Sequence, residues 1–206
     1  MAPFNIAPTR SNLLQMRTKL SFAREGYSIL DKKREVLTGE LLRIAGEAET
    51  LHQQAQSLLE TAYGALKLAR LSMGQERIEW AAMAVTHSVE INILERGMMG
   101  VPIPKVIAYG EPPAISYSLG DTSVALDESN KAFEKVLQII PRLSELSVSV
   151  WRLTRELIKT QRRVHALEKV FIPQYEETIL FIENTLEEQD REEIFTLKWL
   201  KSHQSK

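Results

Sequence analysis

A seven-residue apolar repeat runs through the first third of the sequence and limits the possible folds more than any other feature. Over residues 13–69 the apolar positions recur at alternating steps of three and four, and only Arg34 interrupts them. A strict heptad of this length predicts a left-handed coiled coil, because an ordinary straight helix drifts out of phase with it. At 1.5 Å per residue this helix is about 85 Å long. A compact domain could not contain it.

The last third of the sequence repeats the pattern less regularly. Its predicted seam positions are Phe133, Val136, Ile140, Leu143, Leu146, Val150, Leu153, Leu157, Thr160, Val164, Leu167, Phe171, Tyr175, Ile179, Ile182 and Leu186. A 3,3 step at 143–146 and a 4,4 step at 171–179 depart from the heptad. They predict local over-winding and under-winding of a coiled coil. Each departure lies close to a proline, Pro141 or Pro173, and an internal proline removes one backbone hydrogen bond. We expect a long helix that is irregular at these two places.

The charges of the two helical segments favour an antiparallel hairpin within one chain over a parallel homodimer. Residues 10–34 carry seven basic and two acidic side chains, whereas residues 176–193 carry eight acidic and one basic. A chain that folds back on itself lays these two ends side by side, and a parallel dimer would place like charges together. In this register Leu13 lies near Leu186 and Ala69 lies near Phe133.

The middle of the chain loses the heptads and gains glycine and proline. We predict a short helix over residues 75–85, a half-buried strand over 87–94, and partner strands over 101–109 and 115–119. Pro102 and Pro104 restrict the 101–109 strand to a sheet edge. The predicted fold is mainly α, a long antiparallel two-helix coiled-coil hairpin capped by a small module with a short helix and a β-hairpin. Its parts are residues 9–70, 71–126 and 127–200.

The residue inventory offers no catalytic chemistry. The chain has no cysteine, no phosphate-binding glycine loop and no nucleophile elbow. Its four histidines are scattered, and the spacing of His165 and Glu168 is far more typical of a solvated helix face than of a metal site. We therefore predict no cofactor and no metal. A formal net charge of −1 gives no reason to expect nucleic-acid binding, and no segment predicts membrane insertion.

Arg34 occupies a position where the heptad calls for an apolar residue. The predicted register places it near Glu168, and the two side chains could pair and fix the register. An equally good interpretation is that Arg34 has no partner and extends its guanidinium group from the seam into solvent.

Both ends of the sequence resemble the D subunit of V-type and A-type rotary ATPases, the rotor of the central stalk. The matching stretches are "PTRSNLLQMRTKLSFAREGYSILDKKREVL", the middle "GVPIP", and "RRVHALEKVFIPQYEETILFIENTLEEQDREEIFTLK". The resemblance spans nearly the whole chain, although His165 stands where the family usually has asparagine.

The resemblance implies a non-catalytic rotor shaft, cytoplasmic and peripheral to the membrane. It implies that both termini lie inside a ring of catalytic and regulatory subunits. A small partner, the F subunit, would bind the lower part of the hairpin, and the middle module would face an adaptor of the membrane rotor. The ring contacts expected on this basis are Arg10, Arg17, Arg191, Glu192 and Leu197.

A different class of protein suits the heptads equally well, namely a cytoplasmic coiled-coil scaffold or adaptor unrelated to ATP. Only the motif match argues against it. An enzyme is the least favoured interpretation, because no catalytic constellation is present in the sequence.

Overall fold

The computed structural model describes residues 4, 6–84, 89–110, 117 and 122–204, with side chains as far as residue 201. The helices and strands in this part of the chain are α1 (Arg10–Met73), α2 (Gln75–Met83), β1 (Glu90–Met98), β2 (Val101–Tyr109), α3 (Val124–Ala166), a π-helical turn (Leu167–Phe171) and α4 (Ile172–Gln204). The predicted mainly helical fold, with two long antiparallel helical segments, a short helix and a β-hairpin, is confirmed.

The chain divides into two compact units, which are described in turn. The first contains Met1–Val36 and Leu157–Lys206, and the second contains Leu37–Glu156. Each unit therefore combines part of α1 with a later segment of the chain.

In the first unit, the beginning of α1 runs antiparallel to α4. Three ion pairs join the two helices: Arg10 to Asp190 at 3.0 Å, Arg17 to Glu183 at 2.6 Å and Arg24 to Glu176 at 2.7 Å. Each step of seven residues along α1 is matched by seven residues back along α4. Exposed ion pairs contribute only about 0–1 kcal/mol each, so their main effect here is to define the register. The predicted pairing of the basic and acidic ends is confirmed.

The segment before α1 folds back along α4. The N–H of Phe4 donates to Oγ1 of Thr178 at 3.0 Å, and the same hydroxyl donates to the carbonyl of Gln174 at 2.6 Å. The Phe4 ring lies 5.3 Å from the ring of Tyr175. Thr178 is fully buried, yet its hydroxyl both donates and accepts a hydrogen bond.

In the second unit, the rest of α1 packs against α3 along an apolar seam. Its buried residues are Leu37, Ile44, Ala55, Ala62 and Ala69 on α1, and Leu126, Val136, Leu146 and Leu153 on α3. All of these except Leu126 occupy positions that the heptads predict. Ile140 was also predicted in the seam, but it is exposed and Ile139 is half-buried. The adjacent Pro141 lies inside α3, where it cannot donate a backbone hydrogen bond.

The predicted register is wrong at the far end of this seam. Ala69 clusters with Leu126 and Tyr117, whereas Phe133 contacts Tyr63 edge-on, with ring centroids 5.4 Å apart. The buried residues Ile44 and Ala55 of α1 are eleven residues apart, which keeps both on the alternating steps of three and four. The apolar pattern of α1 therefore predicts which of its residues are buried, but it does not predict which residues of α3 they face.

The two strands form one antiparallel hairpin with an unbroken register from Glu90↔Tyr109 to Met98↔Val101. The two residues of its turn, Met99 and Gly100, have φ of 49° and 81°. Positive φ at both central positions is the signature of a type I′ turn, whose twist matches that of the strands.

The hairpin attaches to α3 through β2. The N–H of Val106 donates to Oε2 of Glu145 at 3.1 Å, and the guanidinium of Arg152 donates to the carbonyl of Pro102 at 2.7 Å. Pro102 and Pro104 stand at alternate positions of this same edge, so their missing N–H groups interrupt no ladder bond. The edge position predicted for residues 101–109 is confirmed.

The prediction that the first strand is half-buried is wrong. Side chains of β1 are exposed from Glu90 to Gly97, because the buried side chains of the hairpin belong to β2. From β1, Glu95 pairs with Arg152 of α3 at 3.5 Å. The predicted strand at 115–119 lies outside the described residues apart from Tyr117, which is in a bend and buried against Ala69 and Leu126.

A π-helical turn interrupts the last long helix just before Pro173. The N–H of Ile172 donates to the carbonyl of Leu167, five residues back instead of four. Such a turn holds one residue more than an α-turn, so it winds the helix less tightly. This agrees with the under-winding predicted here. The buried positions differ from the prediction, however: Thr178 is buried where Ile179 was predicted, and Phe171 is exposed.

Candidate partner-binding surfaces

The end of α4 extends past the last ion pair with α1. Arg10, the first residue of α1, pairs with Asp190, and α4 continues to Gln204, about 21 Å further. Every side chain from Glu187 to Lys201 is exposed. A helix end that is exposed all round can contact other molecules from every side.

The exposed end of α4 carries large apolar side chains on its last turns. Phe195 is 72% exposed and Leu197 is 66% exposed, and Ile194, Trp199 and Leu200 are exposed as well. An acidic segment precedes them, with Glu187, Glu188, Asp190, Glu192 and Glu193. Contiguous exposed apolar side chains are typical of interaction sites.

The predicted ring-contact residues all lie in the first unit, in two different settings. Arg191, Glu192 and Leu197 are on the exposed end of α4, where Arg191 lies 3.7 Å from Glu187 and 3.6 Å from Glu188. Glu192 and Leu197 also line a shallow groove. Arg10 and Arg17 instead form the ion pairs that join α1 to α4.

The predicted register pair, Arg34 and Glu168, lies near the π-helical turn. Arg34 pairs with Asp31 at 2.6 Å, and Glu168 pairs with Lys169 at 3.1 Å. Continuing the seven-residue ladder from Arg24–Glu176 places Arg34 opposite Ala166, two residues from Glu168. A contact between Arg34 and Glu168 stays a prediction.

A second apolar surface lies on the short helix of the second unit. Trp80 is 78% exposed and Met83 is 85% exposed, and Leu71 and Val124 at the neighbouring helix ends are exposed too. Beneath them, Ile78 and Ala81 pack on the cluster around Tyr117. The helix α2 therefore has one face fixed to the unit and another available to a partner.

A third surface is a groove between α1 and α3, whose lining includes the small side chains of Ala45, Ala48 and Ser147. Ala45, Ala48 and His52 contribute from α1, and Leu143 and Val150 from α3. Small residues let a third helix approach closely.

Among the residues that the structure describes, two titratable groups have a clearly shifted pKa, and both lie in structural contacts. Burial raises the pKa of Tyr117 to about 12, and its 2.7 Å hydrogen bond to Asp127 and the charge of that carboxylate act in the same direction. The hydrogen bond and charge of Glu40, together with Glu47, raise the pKa of Arg43, which is permanently charged in any case. Among the described residues, no group of three or more histidines and carboxylates could hold a metal ion.

Comparison with known proteins gives a family match over nearly the whole chain. The model of the family described as the D subunit of ATP synthase matches residues 12–202. The chain belongs to this family. It is therefore a non-catalytic subunit of an ATP synthase complex, and its partners lie within that complex. This membership rejects the alternative of a scaffold unrelated to ATP.

Individual relatives agree over nearly their full length. The chain is 38% identical to the D subunit of the V-type ATP synthase of Thermotoga neapolitana, over 96% of this chain and 97% of the relative. It is 35% identical to the D subunits of the A-type ATP synthases of Thermococcus sibiricus and Pyrococcus furiosus, each over 96% of this chain and 94% of the relative. Within the described residues, no helix has a stretch long and apolar enough to cross a membrane.

Sequence reasoning missed the apolar surfaces at Phe195 and Trp80. The signal was present for Phe195, because "IFTLKWL" is densely apolar and follows an acidic run beyond the point where α1 can cover it. For Trp80 the signal was weaker. A single turn of α2 holds both half-buried and exposed apolar residues, so periodicity does not separate them.

Proposed function

We propose that this chain is the central rotor shaft of a V-type or A-type ATP synthase. It couples ATP synthesis or hydrolysis in a catalytic ring to rotation of a membrane ring and to ion transport. The subunit itself carries out no chemistry, and its action is mechanical.

The observation that supports this role is the exposed end of α4. A shaft must present a surface that contacts the ring without being locked to the rest of its own chain. Phe195 and Leu197 are apolar, exposed and located beyond the start of α1. Contacts there, together with those of Arg191 and Glu192, form one part of the proposed ring interface. Arg10 and Arg17 add to it through the outward parts of their side chains, which are 79% and 59% exposed.

Coupling requires a shaft that differs from one side to another. An asymmetric shaft contacts each catalytic interface of a ring differently, so nucleotide affinity differs among the sites, and rotation exchanges their states. The π-helical turn before Pro173 supplies asymmetry in the first unit, because among the described residues it occurs after α3 and nowhere within α1.

The finer partner assignments follow from the remaining surfaces. The groove of Ala45, Ala48 and His52 suits a helix of the small F subunit, because two of its α1 residues are alanines that let a helix approach closely. The apolar surface of Trp80 and Met83 suits the membrane-rotor adaptor. In this arrangement the chain acts on the cytoplasmic side, peripheral to the membrane.

A reversible brake tests the proposal. The chain has no cysteine, so Leu197→Cys introduces a single reactive thiol. A second cysteine on the facing inner surface of the ring forms a disulfide where the two Cα atoms come within about 7 Å. Oxidation is expected to stop multi-turnover ATP hydrolysis by the assembled complex, and reduction to restore it. The first round of nucleotide binding is expected to survive.

The matched control is Met83→Cys with the same ring cysteine, which is expected to give no cross-link and full activity after oxidation. Hydrolysis that continues at full rate with a complete Leu197→Cys cross-link would exclude a rotating shaft.

A further inference from the structure

Within the described part of the chain, the outer edge of β1 has no partner, whereas that of β2 is occupied. The N–H of Val106 and the carbonyl of Pro102 both point away from β1, since they bond to Glu145 and Arg152 of α3. In an antiparallel pair, residues opposite such positions also direct their backbone groups outward. Val106 is opposite Ile93 and Pro102 is opposite Gly97.

The outward backbone groups of β1 thus belong to its odd-numbered residues, Ile91, Ile93, Glu95 and Gly97. Among the residues that the structure describes, no hydrogen-bond partner is seen for this edge. Side chains are exposed on both faces from Glu90 to Gly97, so no other described part of the second unit covers the edge from above or below.

The open edge has few of the features that usually protect edge strands. Proteins blunt such edges with proline, with charged side chains and above all lysine, with a bulge or with a very short strand. The charged residues of β1 are Glu90, Glu95 and Arg96. Strand β1 is nine residues long, pairs without a bulge and contains neither proline nor lysine. Ile91 and Ile93 are 58% and 63% exposed. An edge of this kind is suited to pairing with another strand.

The charges along β1 match an antiparallel copy of the same strand. If two copies pair about a two-fold axis through Ile93, Glu90 of each lies opposite Arg96 of the other. Both are exposed. Ile91 then lies opposite Glu95, whose carboxylate is 3.5 Å from Arg152 of its own chain. All odd-numbered residues fall in hydrogen-bonded pairs, as the outward direction of their backbone groups requires.

We propose that the free protein forms a homodimer through antiparallel β1–β1 pairing centred on Ile93. The two hairpins join into a four-stranded sheet, and the interface is isologous. It contains about six backbone hydrogen bonds and two Glu90–Arg96 pairs. An interface of one strand from each copy is smaller than the roughly 1,200–2,000 Å² of stable complexes, so the dimer is weak and dissociates before assembly.

Sedimentation of the full chain from about 1 µM to about 200 µM tests this. The apparent mass is expected to rise with concentration from 23.5 kDa toward twice that value. Arg96→Glu alone places Glu90 opposite another glutamate and is expected to lower the association constant at least about tenfold. Glu90→Arg alone acts in the same way. The double variant Glu90→Arg/Arg96→Glu restores the opposite charges and is expected to recover dimerisation.

A cross-link checks the symmetry axis independently. In the Ile93→Cys variant the two thiols lie in a hydrogen-bonded pair with Cα atoms about 5.5 Å apart, within disulfide range. Oxidation is expected to give a covalent dimer, whereas Leu180→Cys, similarly exposed on α4, is expected to give much less. Circular dichroism confirms that each variant is folded.

A monomer at all concentrations overturns the proposal. So does dimerisation that the double charge exchange fails to restore. Protection of the β1 amides only in the assembled complex would instead assign this edge to a strand of another protein in that complex. None of these outcomes bears on the rotor role, which the Leu197→Cys brake tests separately.

Discussion

At the scale of single residues, the turn of the β-hairpin combines a suitable residue with an unsuitable one. Gly100 adopts φ of 81° at no steric cost, but Met99 adopts φ of 49°, where a side chain is strained. Met99 is 46% exposed and belongs to the exposed apolar residues of the chain. The strand register fixes the turn type. Any residue at position 99 must therefore adopt a positive φ, whatever its side chain.

Replacing Met99 therefore relieves strain. Met99→Asn is expected to stabilise the protein by about 0.5–1 kcal/mol, because asparagine tolerates the left-handed region. Gly100→Ala is the matched control and is expected to destabilise it by about 1 kcal/mol. Urea unfolding measures both. Equal effects of the two changes would contradict a type I′ turn.

Tyr117 gives the protein a pH dependence at high pH. Its folded-state pKa is about 12, above the ordinary value of 10.0, so the unfolded chain loses this proton first. The stabilisation is fully present below pH 10 and falls between pH 10 and about 12, by up to about 1.4 kcal/mol per pH unit. Tyr117→Phe is expected to remove this component. Phenolate absorbance is titrated in both proteins, and the difference between the two curves gives the midpoint of Tyr117 ionisation. A midpoint near pH 10 would refute the raised pKa of Tyr117.

At the scale of helices, the three ion pairs between α1 and α4 make a ladder with a seven-residue step. Continued along α1 beyond Arg24, this ladder brings Arg34 close to Glu168. The π-helical turn contains Glu168, and its extra residue changes the direction in which this side chain points. A contact between Arg34 and Glu168 therefore depends on the geometry of the turn.

A double-mutant cycle on Arg34→Ala and Glu168→Ala is expected to give a coupling energy of about 0.5 kcal/mol or more. The Arg34–Asp31 pair provides a cycle of the same type within one helix. If the coupling energy between Arg34 and Glu168 is zero, the arginine does not set the register.

The π-helical turn itself predicts the result of a deletion. Removing the exposed Val170 together with Pro173→Ala converts the turn to α-helix and keeps Thr178 and Ile182 in the seam. Stability is expected to change by less than about 1 kcal/mol. Deleting the exposed Leu180 instead rotates Ile182 by about 100° out of the seam and is expected to be strongly destabilising. Comparable losses in thermal unfolding would show that the turn is not a one-residue insertion.

The helices were predictable because burial repeats with their period, and the fully buried Leu37, Leu153 and Ile182 were all expected from that repeat. Thr178 was not, because its hydroxyl is satisfied only by Gln174 and by the distant Phe4. The position of the hairpin along α3 could not be predicted either, because it depends on the hydrogen bond from the N–H of Val106 to Glu145. Within the candidate site, the family resemblance predicted Leu197 as a contact residue. It did not predict that the side chains around Leu197 at the end of α4 are also apolar and exposed.

At the scale of the whole molecule, many large apolar residues are exposed in both compact units. In the isolated chain these apolar side chains stay in contact with water, whereas partner subunits would bury them. We expect it to be highly helical but only marginally stable, and to melt well below about 90 °C. Circular dichroism at about 222 nm, where helical backbone absorbs, measures this. A single cooperative transition above about 90 °C would mean that the protein needs no partner for its stability.

The buried alanines of the second unit, Ala55, Ala62 and Ala69, have a mechanical consequence. Short side chains at seven-residue intervals let the helices on either side of the seam approach closely. The resistance of a rod to torsion rises steeply with its radius, so a thin section twists more than a thick one under the same torque. A shaft with such a section is an elastic spring as well as an axle, and it can smooth unequal power strokes into steadier rotation.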